Sequence, residues 1–149
     1  MTRKVSVLTI SVLIVGGILF YLAGSGNLFG PSDKTQVGAT AEEMFAAILQ
    51  GDEAVLQAVL HKDFVFDAMD MLVGRREFIS NIVSGDLWAK VADERELEMT
   101  GTSAAMITPF EANAVIYDEF FQFSGTMRVD FVKEEAGWLV RTIRVMPVL

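Results

Sequence analysis

The stretch Phe121–Phe131, FQFSGTMRVDF, alternates apolar and polar side chains with one interruption. Phe121, Phe123, Met127, Val129 and Phe131 share one side, and Gln122, Ser124, Thr126, Arg128 and Asp130 share the other. Successive side chains of an extended chain point to opposite faces, so this period of two predicts a half-buried antiparallel strand. Gly125 breaks the apolar face once and predicts a bulge or a sharp bend. Downstream, Lys133–Gly137 closes a hairpin and Trp138–Val145 returns as the last strand. Upstream, Ser103–Phe110 reads as a strand with Pro109 at its edge or end. Glu96–Met99 reads as a shorter strand closed by the turn signal Thr100-Gly101.

Before these strands the period changes to that of helices. Thr40-Ala41-Glu42-Glu43 forms a capping box, with Thr40 as N-cap and Glu43 at the third helical position. Met44, Phe45, Ile48 and Leu49 then recur at helical spacing up to a stop at Gly51. Asp52 caps a second short helix bearing Val55, Leu56, Val59 and Leu60. His61-Lys62-Asp63 ends that pattern, and Phe64-Val65-Phe66 predicts a short strand. Gly74 precedes a third helix, Arg75–Val83, with Phe78, Ile79 and Ile82 on one face and Gly85 beyond it. Helices followed by a strand meander predict an α+β fold, three helices packed on one face of a curved antiparallel sheet.

The front of the chain has a different character. No charged residue occurs from Val5 to Ala23, where Val5, Leu8, Ile10, Leu13, Ile14, Ile18, Leu19, Phe20 and Tyr21 form an apolar run. As a helix rising about 1.5 Å per residue, the run spans roughly the 30 Å hydrocarbon core. A retained transmembrane anchor at 1–23, a Gly/Ser/Pro-rich linker at 24–38 and a domain at 39–149 is the organisation this predicts. A cleaved signal peptide is the competing reading, with Ala23-Gly24-Ser25 as the cleavage site. The run exceeds the usual h-region of about 7–15 residues, which favours the anchor. Arg3 and Lys4 precede it with no acid beside them, so the N-terminus is expected in the cytoplasm of a bacterium. The domain then lies on the periplasmic, non-cytoplasmic side of the inner membrane, on a single-pass anchor in contact with lipid.

With Arg3 and Lys4 set aside from the 12 bases, the rest of the chain sits near −10 against its 20 acids. That balance excludes nucleic acid and anionic lipid surfaces as partners. There is no Cys, hence no disulfide, no thiolate metal site and no lipoprotein anchor.

Leu49-Gln50-Gly51-Asp52 through Gly74-Arg75-Arg76-Glu77-Phe78 resembles the helical half of nuclear transport factor 2-like proteins. These have a helix, a Gly-Asp turn, a second helix, an Asp-rich strand and a Gly-Arg step into a third helix. The hairpin Phe131–Val145, with Gly137-Trp138 at its turn, is similar to the superfamily's last two strands. The resemblance covers Thr40–Pro147 and implies a cone-shaped pocket between helices and sheet, and a dimer through the sheet. It also admits ketosteroid isomerases, SnoaL-like cyclases, dehydratases and non-catalytic assembly domains, so fold alone names no function. Aligned at Gly51-Asp52, the isomerase tyrosine falls at Met44, its catalytic aspartate at Ala68, and its second oxyanion donor near Arg128. All three depart from the pattern. A one-residue slip puts Asp67 at the base position, but the oxyanion hole is still missing.

Among candidate site residues, Asp63 and Asp67, with Asp70, fall where the resemblance puts the pocket mouth. A carboxylate buried among Phe64, Phe66 and Met69 would have a raised pKa and act as a base; turn capping is the plainer role. His61, the only histidine, is either an acid–base partner or the end of the second helix, where its charge suits the dipole. Phe64, Phe66, Phe121, Phe123, Met127 and Phe131 are candidates for pocket lining or plain core. Arg128, Arg141 and Arg144 either meet an acidic partner or balance Asp130 and Glu119 across strands. No cofactor or metal is implied. Two functions follow: a membrane-anchored, non-catalytic binding or assembly domain, accessory to a membrane-protein complex or homodimeric; or a carrier of an apolar small molecule or SnoaL-like cyclase- or isomerase-type enzyme, with Asp67 or Asp63 as base and His61 assisting. An open or filled cone separates them.

Overall fold

The computed structural model describes residues 32–68, 70–116 and 118–147. The apolar run Val5–Ala23, expected as an anchor, lies outside these residues, as do 24–31 of the expected linker. Among the described residues no helix is long and apolar enough to cross a membrane.

Helix α1 (Asp33–Gln50) begins seven residues before the predicted capping box. Its N-cap is Ser32, whose hydroxyl accepts the Thr35 N–H at 3.3 Å, and Asp33 supplies the acid that suits a helix start. Thr40 is mid-helix, where its hydroxyl donates to the Gln36 carbonyl at 3.0 Å. The predicted linker therefore overruns the first turns of α1. Val37, Ala41, Met44 and Phe45 form the buried stripe. Gly51 closes the helix at φ 64°, in the left-handed region that favours glycine. Asp52 then accepts the Val55 N–H at 3.2 Å and starts α2 (Glu53–Val59).

Strand β1 (Leu60–Ala68) starts at once, longer than the predicted Phe64–Phe66, and takes in His61. It turns through Asp70, at φ 67°, into β2 (Met71–Gly74). Helix α3 (Arg75–Ser84) follows as expected. Arg75 ties it back, donating to the carbonyls of Leu60 at 3.2 Å and Gln57 at 2.6 Å. The remaining strands are β3 (Asp86–Val91), β4 (Glu96–Thr100), β5 (Ser103–Ile116), β6 (Glu119–Glu134) and β7 (Gly137–Pro147). The periodicity of the sequence predicts neither β2 nor β3.

The sheet order is β2-β1-β7-β6-β5-β3, with β4 also on β5. The expectation of a wholly antiparallel sheet is corrected at one place, because β1 pairs parallel with β7. Chain order explains it: β1 reaches the sheet from the helices, not from a hairpin, and parallel neighbours require such a long connection. Pro109 does not end β5. Its carbonyl accepts the Ala92 N–H at 3.0 Å, so its missing N–H faces the junction where β4 gives way to β3. Gly125 lies within β6 at φ 145°, and the β5–β6 register passes through it unshifted, so it makes no bulge against β5. The shift lies between β6 and β7, where Arg141 is the extra residue.

Asp33 fastens the start of α1 to the β6–β7 hairpin. Its carboxylate accepts from Lys133 Nζ at 2.9 Å and Trp138 Nε1 at 3.1 Å. The Lys133 bond first, and the Trp138 bond second, hold its pKa below the usual carboxylate value. A lowered folded-state pKa contributes stability above the unfolded value, near pH 4, and loses it as pH falls through the folded value. Asp33→Asn is therefore expected to be less stable at neutral pH and to show a shallower loss on acidification below about pH 4. Urea unfolding of both proteins across that range checks this; superimposable pH slopes refute it.

Candidate functional site

The two layers do not close on each other. Between α1, α3 and the facing side of the sheet lies a cavity of about 520 Å³. The register of β5 on β6 explains the space. Ala114 stands opposite Phe121, Ala112 opposite Phe123, and Gly125 opposite Phe110. Each ring thus faces a residue with little or no side chain. Phe121 and Phe123 stack with centroids 6.1 Å apart and planes 7° from parallel. Further along the same ladder, Met106 pairs with Val129 and Thr108 with Met127, and the layer fills. Ala46 on α1 and Ala89 on β3 add to the open volume. Gly85 lets the end of α3 approach β5, since a Cβ there would sit 2.5 Å from the Asn81 carbonyl oxygen and 3.0 Å from that of Val115.

Leu49, Met71 and Leu72 line the cavity and are exposed, Leu72 by 72%. They mark its mouth, at the C-terminal end of α1. The polar side chains on the wall are Glu42, Glu77, Asn81 and Arg95. Arg95 pairs with Glu42 and lies 5.2 Å over the Phe45 ring. Its loop is held by buried Thr108, whose hydroxyl lies 3.3 Å from the carbonyl oxygens of both Ala92 and Glu94. Asn81 Oδ1 is buried and has no hydrogen-bond partner among the described residues.

Of the expected lining residues, Phe66, Phe121, Phe123 and Met127 stand on the wall. Phe64 and Phe131, 1% and 2% exposed, are core instead. Phe64 and Phe66 both pack on Phe78, with centroids 5.0 and 5.2 Å away. The candidate acids and base are not brought into the cavity. In β1 the alternation sends Phe64, Phe66 and Ala68 inward, and therefore Asp63 and Asp67 outward. Asp67 accepts from Arg144 Nε at 3.0 Å. Arg141 Nη1 donates to the Asp63 carbonyl at 2.8 Å and lies 3.6 Å from its carboxylate. Asp70 is in the β1–β2 turn.

His61 is buried in β1 rather than ending α2 at the surface. Its Nδ1 accepts the Asp63 backbone N–H at 3.1 Å and faces Arg141 Nη1 at 3.3 Å. The proton therefore sits on Nε2, which donates to Glu134 Oε1 at 3.0 Å. Both ring nitrogens are occupied in holding the end of β1, which leaves neither for proton transfer in the cavity. Sequence reasoning did not single out Ala112, Ala114, Asn81 or Arg95. Asn81 had a signal, an amide beside Phe78 and Ile82 on the apolar face of α3. The alanines mean nothing until the register is known.

No protein-family model matches the chain, and no curated protein matches it. Solved structures do. A protein of Exiguobacterium sibiricum, provisionally assigned as a calcium/calmodulin-dependent kinase II association domain, has a TM-score of 0.71 at 12% identity, over 83% of this chain and 98% of that one. A nuclear transport factor 2-like protein of Cytophaga hutchinsonii has a TM-score of 0.69 at 13% identity, over 79% of this chain and 100% of that one. A nuclear transport factor 2-like protein of unknown function in nutrient uptake, from Rhodospirillum rubrum, has a TM-score of 0.68 at 15% identity, over 76% and 98%. At such identities the likeness is one of fold. The described domain has the nuclear transport factor 2-like fold, α+β with three helices on a mixed sheet.

If His61 is structural, His61→Ala loses about 1–3 kcal/mol, because it strips partners from a buried position. Asp67→Asn, at a solvent-facing ion pair, changes stability by about 1 kcal/mol or less. Urea unfolding at pH 7 checks the order, and a larger loss for Asp67→Asn refutes it.

Proposed function

We propose that this chain is a binding module for an apolar small molecule, held at a membrane by its N-terminal apolar run. One observation carries the reading: an open cavity of about 520 Å³ whose wall, among the described residues, is aliphatic and aromatic apart from four polar side chains. Ligand sites commonly have volumes of about 300–1,000 Å³ and walls of this composition. Of the carboxylates on the cavity wall, Glu42 is paired with Arg95, and no histidine stands there with Glu77 among the described residues. Asp63, Asp67 and His61 are engaged outside the cavity, so binding without catalysis is the better reading.

The apolar run at Val5–Ala23 supports the membrane half of the proposal. An anchor keeps the cavity at high effective concentration beside a lipid phase, where water-insoluble molecules reside. The expected location is the periplasmic side of an inner membrane.

Two exposed apolar side chains also favour a contact with a membrane-protein partner or a second copy. Leu72, and Phe120 at 67% exposure, are large apolar side chains left in solvent. Purification of the full chain in mild detergent tests that second reading, which predicts a stoichiometric co-eluting protein or a homodimer. A monomer alone removes it.

For the ligand, the full chain is incubated with a diazirine-bearing long-chain alcohol, irradiated and mapped by mass spectrometry. Labels are expected on Phe110–Ala114 and Phe121–Met127. In Ala112→Phe/Ala114→Phe, which fills the cavity, they should fall by about tenfold or more, the loss expected when an apolar site is occluded. Labelling that is absent from these segments, or indifferent to the filling, overturns the proposal.

A further inference from the structure

We infer that the molecule this cavity takes is a single-chain amphiphile whose phosphate head lies in a basic groove beside the mouth. The inference rests on the small-molecule reading above and adds the chemistry of the ligand's polar end. Lys62 on β1, Gly74 at the end of β2, and Arg75, Arg76, Glu77 and Ser80 on α3 line an open groove. Glu77 belongs to both walls, so one side chain separates the groove from the apolar cavity. Leu72 at the mouth and Gly74 in the groove are two residues apart on β2, about 7 Å at the rise of a strand.

Charge sets the groove apart. Among the described residues Arg95, Arg128, Lys133, Arg141 and Arg144 each meet a carboxylate. Lys62, Arg75 and Arg76 do not, in a chain of net charge −8, and they stand together. Arg75 is fixed there by the carbonyls of Leu60 and Gln57. Asp63, next to Lys62, is taken by Arg141. With Glu77 as its one acid, the groove keeps a surplus of two positive charges. The field of the whole chain turns away an anionic surface. It is screened beyond about 8 Å at physiological salt, so a single anion in the groove meets the local cations first.

The donors favour a phosphate over a carboxylate. A phosphate monoester brings three acceptor oxygens and a charge of about two, enough to meet Lys62, the forked guanidinium of Arg76 and the Ser80 hydroxyl together. The head stays outside, because the one cation on the cavity wall among the described residues, Arg95, is already paired with Glu42. Cavity size limits the tail. A methylene occupies about the room of a water in the liquid, roughly 30 Å³, so about 520 Å³ holds one hydrocarbon chain of at most ~17 carbons.

Four diazirine probes of equal chain length test this on the full chain in a mild uncharged detergent: an alkyl phosphate, a carboxylic acid, an alcohol and a trimethylammonium. Half-maximal labelling of Phe121–Met127 is expected at a concentration about tenfold lower for the phosphate than for the alcohol, the scale of two or three exposed charge contacts. The acid should fall between them, and the ammonium should need the highest concentration. Salt at about 1 M should narrow the gap between phosphate and alcohol, since it screens exposed pairs. Lys62→Gln/Arg76→Gln, two exposed changes that leave the core intact, should erase the phosphate's advantage, and Glu77→Gln should widen it. Equal labelling by phosphate and alcohol, preference for the acid or the ammonium, or a phosphate advantage that survives Lys62→Gln/Arg76→Gln overturns the inference. Inorganic phosphate that displaces the phosphate probe at equal concentration also overturns it, because the tail would then add nothing. If no probe labels the cavity segments, the small-molecule reading itself fails, and the two failures are thereby distinct.

Discussion

The ladder between β5 and β6 runs without a shift from Ser103 opposite Val132 to Ile116 opposite Glu119, and what it puts face to face decides the interior. Ala112 and Ala114 meet Phe123 and Phe121 in the half nearer the β5–β6 turn, while beyond Thr108 Met106 meets Val129 and Ala104 meets Phe131, both pairs buried. A slip of one residue would send Phe121, Phe123, Met127 and Phe131 to the outer face and collapse the distinction. Packing to full density is the default of protein interiors. Here the strand order β7-β6-β5 holds the register in place while the alanines keep one region from closing. The cavity is thus a property of pairing, and no single residue makes it.

The same dependence explains what was legible beforehand. The alternation of Phe121–Phe131 and the stripe of Met44, Phe45 and Ile48 are local signals, and they led to the right strand and helix. The helix stop at Gly51, the cap at Asp52 and the start of α3 after Gly74 were equally local. The start of α1 was misplaced because Thr40-Ala41-Glu42-Glu43 has the form of a cap while Ser32-Asp33 does the capping. His61, Asp63 and Asp67 were misplaced together. Once Leu60–Ala68 is taken as one strand, Phe64 and Phe66 facing in oblige both aspartates to face out. The parallel partner of β1 lies some eighty residues away in β7, beyond what periodicity reports. Asn81 and the alanines needed the fold before their positions acquired meaning.

On the outer face the arginines and aspartates settle one another. Arg144 holds Asp67, Arg141 holds Asp63, and Arg128 meets Asp130 at 3.0 Å on its own strand. Glu119 is not among these pairs. Exposed pairs of this kind contribute little to stability. Their effect is on orientation, because each satisfies a carboxylate on the outer face of β1 or β6. The cation cluster that the hairpin sequence suggested is therefore engaged within the domain, and the apolar face opposite is left as the side with chemical room.

The attachment of Asp33 to Lys133 and Trp138 bears on how the domain would carry force. Ser32 caps one end of α1, while the mouth lies at the other end of this 18-residue helix, about 27 Å away at 1.5 Å per residue. Tension applied along the incoming chain would be taken up by the carboxylate clasp and passed into β6 and β7, the middle strands of the sheet. Leu49, Met71 and Leu72 stand off that line of load. Pulling on the chain at Ser32 would strain the clasp before it deformed the rim.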